Sequence, residues 1–278
     1  MKLKFLGTGS CEGVPALFCK CDGCLEARRR GGKNIRTRSQ AVVDDTLLID
    51  FPCDTYMHTL NGNLPLADVR SVLLTHAHSD HLDISELAMR DTNNFCFHGE
   101  DGGILTVYSS EKSGSAIREK LGTEDAVKAH GVVNRVLEPY TEYEIDGYTV
   151  IPIKASHAFE LDSYNYIIEK DSRSLLYAVD TGYFLDETWA FLETRGKRFD
   201  TVVLESAYLD SPGVKTHMGI PDNVKVRERL LSTGLADDKT KFYITHMSHY
   251  RSPLQEETEA KVKPLGFEVA YDYLEIEI

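Results

Sequence analysis

The chain has 278 residues, 42% of them hydrophobic and 27% charged, which is typical of a globular protein. Its formal net charge of −13 disfavours an extended nucleic-acid partner, because an acidic surface repels polyanions. No run approaches the ~18 apolar residues of a membrane span, and the opening MKLKFLGTGS lacks the apolar core of a secretory signal. We therefore expect a cytoplasmic protein without a membrane partner.

In chain order, apolar runs and turn residues predict strands at 2–6, 41–43, 46–50, 71–75, 104–108, 148–155, 164–169, 174–179, 201–204, 241–245, 267–270 and 273–278. Helices are predicted at 53–60, 82–90, 112–121, 186–194, 222–231 and 255–263, with Asp186 as a cap, and 91–103 is predicted to be a loop. Strands meet helices in both halves, and no linker or repeat interrupts them. The sequence therefore predicts one α/β domain over residues 1–278, with sheets packed between helix layers.

The most informative motif, HAHSDH, follows the strand predicted at 71–75. It places four potential metal ligands within six residues, namely His76, His78, Asp80 and His81. Mixed nitrogen and oxygen donors at this density suit zinc, manganese or iron and leave room for a bound water. The alternative is a polar surface loop, in which three of the ten histidines share one hexapeptide by chance.

Three further donors, His157, Asp180 and His246, each follow a predicted strand. Any one of them could simply cap a turn at the end of a strand. Together with the hexapeptide they predict a centre of two cations, roughly 3.5–4 Å apart, that share one hydroxide of lowered pKa. Such a hydroxide attacks phosphorus or a carbonyl carbon, and Asp80 would orient it as well as act as a ligand.

A cysteine cluster, Cys19, Cys21 and Cys24, has the spacing C-x-C-x2-C. This spacing wraps around one tetrahedral zinc, for which His249 is our proposed fourth ligand. The alternatives are three reduced surface thiols or a redox pair. A structural zinc here would hold the early loop against the rim of the active site. The remaining cysteines, Cys11, Cys53 and Cys96, are expected to be small hydrophobic residues.

The order of HAHSDH, a lone histidine, an aspartate before Thr-Gly and a late histidine resembles the metallo-β-lactamase superfamily. The resemblance covers 6–249 and implies a four-layer αβ/βα sandwich with its site along one edge of two facing sheets. It implies one divalent metal on His76, His78 and His157, a second on Asp80, His81 and His246, and Asp180 as the bridge between them.

A GTG turn, a G-V-P, the cysteine cluster and THMSH at 245–249 are similar to one branch, the phosphoribosyl cyclic phosphodiesterases of the carbon–phosphorus lyase pathway. The resemblance implies an enzyme of phosphonate metabolism that opens 5-phosphoribosyl 1,2-cyclic phosphate to ribose 1,5-bisphosphate. Dimers are common in such proteins. The branch uses a further histidine as general acid, for which His217 is the candidate here, since histidine titrates near neutrality. A solvated loop histidine is the alternative.

Two features depart from the branch. Ile84 stands where many relatives have glycine, and 91–103 looks like additional loop material. A basic cluster, Arg28 to Arg30 with Lys33, Arg36 and Arg38, stands out in the acidic chain. It either steers a phosphate towards the metals or is a solvated surface, and Arg38 is our candidate for substrate contact.

Two other functions fit the same fold. One is a transfer-RNA 3′-processing nuclease, which the HAHSDH loop fits and the acidic charge and the cysteine cluster do not. The other is a metal-dependent binding protein without turnover. A pyrroloquinoline quinone biosynthesis protein would have fewer active-site histidines, and a diiron relative would carry a carboxylate in place of His78.

Overall fold

Two seven-stranded sheets lie at the centre of the structure, a computed structural model that describes residues 1–90, 96, 103–121, 131–250 and 254–278. The first sheet contains β1 (Lys2–Gly7), β2 (Gln40–Val43), β3 (Leu47–Ile49), β4 (Ser71–Leu73), β5 (Leu105–Ser109), β6 (Val132–Val136) and, at the edge beside β1, β14 (Glu275–Glu277). The second contains β7 (Tyr143–Ile145), β8 (Tyr148–Lys154), β9 (Tyr164–Lys170), β10 (Arg173–Ala178), β11 (Thr201–Glu205), β12 (Lys241–Thr245) and β13 (Glu268–Val269), side by side in chain order.

Seven helices flank the two sheets in the described part of the chain. They are α1 (Asp22–Arg30), α2 (Thr55–Asn61), α3 (Ile84–Ala88), α4 (Glu111–Leu121), α5 (Asp186–Arg195), α6 (Ile220–Ser232) and α7 (Gln255–Val262). Leu87 of α3 and Ile117 of α4 pack on the first sheet. Trp189 of α5, Val226 of α6 and Val262 of α7 pack on the second. None of these helices, within the described part of the chain, is long and apolar enough to cross a bilayer.

Alternating side chains build the layers, because successive residues of a strand point to opposite faces. In β10, Leu175 and Tyr177 enter the core between the sheets, whereas Leu176 and Ala178 enter the core beneath the helices. Burial of each large apolar side chain contributes roughly 1.5–3 kcal/mol. The predicted α/β sandwich is thereby confirmed, since both sheets lie between helix layers.

Some element predictions were wrong in their limits. The helix expected at 82–90 is limited to α3, because Asp83 accepts hydrogen bonds from the amides of Ser85 and Glu86 and starts the helix at Ile84. Asp186 is the first residue of α5 and not its cap, a position taken by Leu185. Most of the loop expected at 91–103 lies outside the described residues.

Three elements were not predicted, namely α1, β6 and β7. Helix α1 buries only Cys24 and Ala27, so it shows little apolar periodicity, and it begins where the Cys21 side chain accepts the Cys24 amide. Strand β6 has a single fully buried residue, and β7 is three residues long. Tertiary pairing, and not local pattern, therefore determines these segments.

The carboxyl ends of the parallel strands determine where the site lies. Strands β3 to β6 run parallel in the first sheet, and β10 to β13 run parallel in the second. The loops that leave β4, β10 and β12 carry His76, Asp180 and His246. Ligands in open α/β sheets are expected beside such strand ends.

Candidate active site

The HAHSDH loop is a compact turn at the end of β4. The amides of His81 and Leu82 both donate to the carbonyl of His78, at 2.9 and 2.8 Å. Thr75, just before the turn, donates through its amide and its hydroxyl to Asp50 at 2.8 and 2.9 Å. Because Asp50 follows β3, the neighbouring parallel strand, the start of the loop is held at the sheet edge.

The first donor group is His76, His78, His157 and Asp180, whose ligand atoms all lie within 4.8 Å of one another. His76 Nε2 lies 2.8 Å from His78 Nδ1, which lies 3.3 Å from His157 Nε2. Ligand atoms around a tetrahedral cation, each about 2.1 Å from it, are about 3.4 Å apart. These spacings therefore suit a small divalent cation.

The second donor group is Asp80, His81, Asp180 and His246, again within 4.8 Å. His81 Nε2 lies 3.4 Å from Asp80 Oδ2 and 2.9 Å from Asp180 Oδ2. His246 Nε2 lies 3.6 Å from the same Asp180 oxygen. The structure thus brings together the seven side chains that were predicted as active-site ligands.

Asp180 is common to both groups through one atom. Its Oδ2 also lies 3.5 Å from His76 Nε2 and 3.6 Å from His157 Nε2, so four imidazoles surround it. Burial alone would raise the pKa of Asp180, but His246, His217 and His81 hold that pKa well below its usual value. The carboxylate is therefore ionised, as a bridging ligand must be.

An unsatisfied buried atom tests whether these residues fit a metal. His246 is 1% exposed, and its Nε2 forms no hydrogen bond within the described part of the chain. A buried polar atom without a partner costs roughly 1–3 kcal/mol, which coordination would recover. The opposite nitrogens of His81 and His157 contact Asp50 Oδ2 at 2.7 Å and the Thr216 carbonyl at 3.0 Å. Such contacts orient metal-binding histidines.

His217 lies on the wall of the same site. Its Nδ1 is 3.1 Å from Asp180 Oδ1 and 3.5 Å from Oε1 of Glu205, a fully buried carboxylate at the end of β11. Burial acts to lower the pKa of His217, but these two carboxylates outweigh it and raise the pKa to about 10. Glu205 also accepts the amides of Ala207 and Met218, which fixes its position.

The donor groups open into a cavity of about 440 Å³, which we call the metal pocket. Its lining is Ser10, Cys11, Glu12, His78, Asp80, His157, Asp180, Ala207, Tyr208, His217, His246, Ser248 and Tyr250. No lysine or arginine is among these described residues. Positive charge in the pocket would thus come from histidine and from bound cations.

Cys19, Cys21, Cys24 and His249 form a separate donor group, within the same 4.8 Å limit. His249 Nδ1 lies 3.3 Å from Cys24 Sγ and 3.9 Å from Cys21 Sγ. The Cys24 amide is the main cause that lowers the pKa of Cys21 to about 6, whereas burial raises that of Cys24 to about 11. Three thiols and one imidazole are a donor set of structural zinc sites.

Glu12 connects this cysteine group with the metal pocket. Its carboxylate accepts the hydroxyls of Ser10, at 2.7 Å, and Ser248, and the amide of His249 at 3.2 Å. Ser248 lies between the candidate ligands His246 and His249 in sequence. Glu12 therefore holds the loop after β1 against the loop after β12.

Arg38 is not among the described residues that line the metal pocket. Its guanidinium pairs with Asp54 at 3.3 Å and donates to the Cys11 carbonyl at 3.1 Å, beside a neighbouring cavity that Ile84 also lines. The expectation for Cys11, Cys53 and Cys96 was wrong, because all three are exposed, and Cys11 lines both cavities. They lie on loops, where no core surrounds them.

Three functional carboxylates were missed from the sequence: Glu12, Asp50 and Glu205. Asp50 and Glu205 each follow a short apolar run, LLI and VVL, and so obey the rule that located Asp180. Only Glu12 lacks a local signal, because the partners through which it joins the two loops, Ser248 and His249, are 236 and 237 positions away.

A family model described as a beta-lactamase superfamily domain matches residues 47–247. An octanoyltransferase of Porphyromonas gingivalis is 32% identical over 123 residues, which are 44% of this chain and 23% of that protein. The chain thus spans less than a quarter of the length of this relative, so we infer no activity from the similarity.

Two solved structures share the fold. A diphosphatase from the PhnP family is 23% identical with a TM-score of 0.75, over 100% of this chain and 96% of that one. The short form of human tRNase Z is 14% identical with a TM-score of 0.65, over 100% and 99%. With the ligand set above, the family match confirms the predicted metal-dependent hydrolase.

Proposed function

Because this chain belongs to the metallo-β-lactamase superfamily, we propose that it hydrolyses a small cyclic phosphodiester with two divalent cations bound in its metal pocket. The observation that carries the proposal is the single Asp180 oxygen within 3.6 Å of four imidazoles, with His217 beside it. One shared oxygen between two donor groups is the arrangement expected for a two-metal hydrolase.

When bound, the cations supply an activated water and neutralise the charge that develops on the phosphoryl oxygens. Zinc, manganese and iron all suit these donors, and a further zinc on the cysteine group would be structural. The protein contributes the positions of its side chains. Asp50 and the Thr216 carbonyl fix the ring orientations of His81 and His157. Asp80, in the second donor group, would orient the attacking water.

His217 provides the proton for the leaving group. Its Nδ1 faces Asp180 and Glu205, which leaves Nε2 for an alkoxide oxygen in the pocket. A histidine whose pKa is raised is protonated at neutral pH and can donate that proton. Sugar alkoxides are poor leaving groups, so such a donor matters most for a sugar phosphodiester.

For the substrate we propose 5-phosphoribosyl 1,2-cyclic phosphate, with ribose 1,5-bisphosphate as the product, in cytoplasmic phosphonate metabolism. The proposal is supported by the cysteine cluster with its convergent histidine and by the THMSH segment. A pocket of about 440 Å³ is large enough for a sugar bisphosphate.

A transfer-RNA 3′-processing activity is the second candidate, favoured by the fold shared with human tRNase Z. A polyanionic substrate is disfavoured by the net charge of −13 and by the absence of lysine and arginine from the described pocket lining. A binding protein without turnover would use the same pocket.

The test is phosphodiesterase activity of the metal-loaded protein. We expect cleavage of 5-phosphoribosyl 1,2-cyclic phosphate and, more slowly, of bis(p-nitrophenyl) phosphate. Chelation and His76→Ala should each abolish both. If the metal-loaded wild type cleaves neither ester, the proposed function is wrong. Cleavage of a pre-tRNA in preference to the small esters would establish the second candidate.

A further inference from the structure

A second cavity adjoins the metal pocket and shares Cys11 and Asp80 with it. Its volume is about 310 Å³, and we call it the side pocket. Its lining is Cys11, Arg38, Cys53, Ser79, Asp80, Leu82, Asp83, Ile84, Ser85 and Lys120. The two cavities thus meet at Cys11 and Asp80, and a substrate that binds in both would lie across these two residues.

Arg38 enters the side pocket as a fixed cation. Its amide donates to Asp54 at 2.8 Å, its Nη1 lies 3.3 Å from the same carboxylate, and its Nε donates to the Cys11 carbonyl. Only 19% of the side chain is exposed. Its Nη2 forms no hydrogen bond within the described ranges, so both N–H groups of this nitrogen remain available to a ligand.

Lys120, in the last turn of α4, supplies a second cation. It is exposed and forms no ion pair with any residue that the structure describes. The two acidic residues of the lining are already engaged, because Asp83 accepts the amides of Ser85 and Glu86 and Asp80 belongs to the second donor group. Arg38 and Lys120 are thus the two cationic side chains among the described residues of the lining.

We propose that the side pocket binds a second, non-reacting phosphate of the substrate through Arg38 and Lys120. This inference rests on the proposed function and deepens it: the preferred substrate class is a phosphodiester that carries another phosphate monoester. The metal pocket has no lysine or arginine among its described residues. The side pocket therefore distinguishes substrates with a second phosphate from substrates without one. Guanidinium and ammonium groups are the usual side-chain partners of phosphate.

The experiment compares two substrates that differ only in that phosphate, 5-phosphoribosyl 1,2-cyclic phosphate and ribosyl 1,2-cyclic phosphate. The measured quantity is the ratio of their kcat/KM values. We expect Lys120→Gln to lower the ratio about 10-fold and Arg38→Met about 10-fold to 100-fold, the range of one charge-assisted hydrogen bond. Lys112→Gln is the matched control. It removes one charge from the same helix outside the side pocket, so the ratio should not change.

Binding of ribose 5-phosphate by calorimetry separates this inference from the proposed function. Lys120→Gln should weaken that binding about 10-fold relative to Lys112→Gln. A wild type that cleaves neither diester refutes the proposed function, and the calorimetry then decides the inference alone. Wild-type ratios in both pocket variants, or equal ribose 5-phosphate affinity in Lys120→Gln and Lys112→Gln, would overturn the inference. Since Arg38 also contacts Asp54, the exposed Lys120 keeps the test valid should Arg38→Met misfold.

Discussion

At the level of single residues, the candidate metal ligands depend on partners that do not themselves line the metal pocket. Asp50 is fully buried, lies 2.7 Å from His81 Nδ1 and also accepts the amide of Thr75. It therefore fixes both the ring of one ligand and the start of the loop that carries four of them. An outer carboxylate of this kind sets the tautomer of the histidine and strengthens it as a ligand.

Asp50→Asn should lower the affinity for active-site metal by about 10-fold to 100-fold, the usual cost of losing such a partner. Metal affinity can be measured by competition with a chromophoric chelator, with a melting curve to verify folding. Asp68→Asn, at an exposed position, is the control and should behave as wild type. A folded Asp50→Asn protein with wild-type affinity would contradict this role.

Part of the candidate site can be predicted from the sequence, and part of it cannot. His76 and Asp180 were predictable because a donor side chain that follows an apolar run leaves the end of a strand at the sheet edge. Asp50 and Glu205 also follow apolar runs, so the same pattern could have located them. Glu12 and Lys120 are different. Only the folded chain brings them to the site, and nothing in their neighbouring residues announces it.

At the scale of elements, α1 depends on the cysteine group. Cys21 is its N-cap and accepts the Cys24 amide, while Cys24 is one of its two buried residues. The helix buries little apolar surface, so a bound zinc would supply much of its attachment. Through Glu12, the same loop contacts the segment that carries His246 and His249.

Cys21→Ala should release about one zinc per chain and lower the melting midpoint by roughly 5 °C, or about 2 kcal/mol for a chain of this size. Elemental analysis and calorimetry measure the two effects. Cys53→Ala, an exposed cysteine outside the cluster, should change neither. Unchanged zinc content in Cys21→Ala would show that the cysteine group does not hold a structural zinc.

Across the whole molecule, a largely buried polar network of Thr8, Thr37 and Asp272 joins the first sheet to the C-terminal segment. Asp272 accepts the hydroxyls of Thr8 and Thr37, at 2.6 and 2.7 Å, and the Thr37 amide. Burial is the main influence on this carboxyl and raises its pKa from 3.8 to about 6. Between these values the folded protein binds a proton that the unfolded chain does not, so rising pH through that window costs stability.

Asp272→Asn should remove this dependence. Relative to the variant, the wild type should lose up to about 3 kcal/mol of unfolding free energy as the pH rises from 4 to 6. Above pH 6 the difference in unfolding free energy should stay constant. Urea unfolding of both proteins in chelator, so that metal binding does not contribute, measures the difference at each pH. Parallel stability curves for the two proteins would show that Asp272 titrates normally.

Two candidate metal ligands have backbone conformations that restrict which residues can replace them in evolution. Asp180 and His246 adopt φ values of 57° and 53°, a region that aspartate, asparagine and histidine enter far more readily than branched or bulky residues. Mutant libraries selected for a different metal preference should therefore yield few functional variants at these two positions, whichever donor residue is introduced. New specificities should arise instead at His78 and Asp80, whose backbones carry no such restriction.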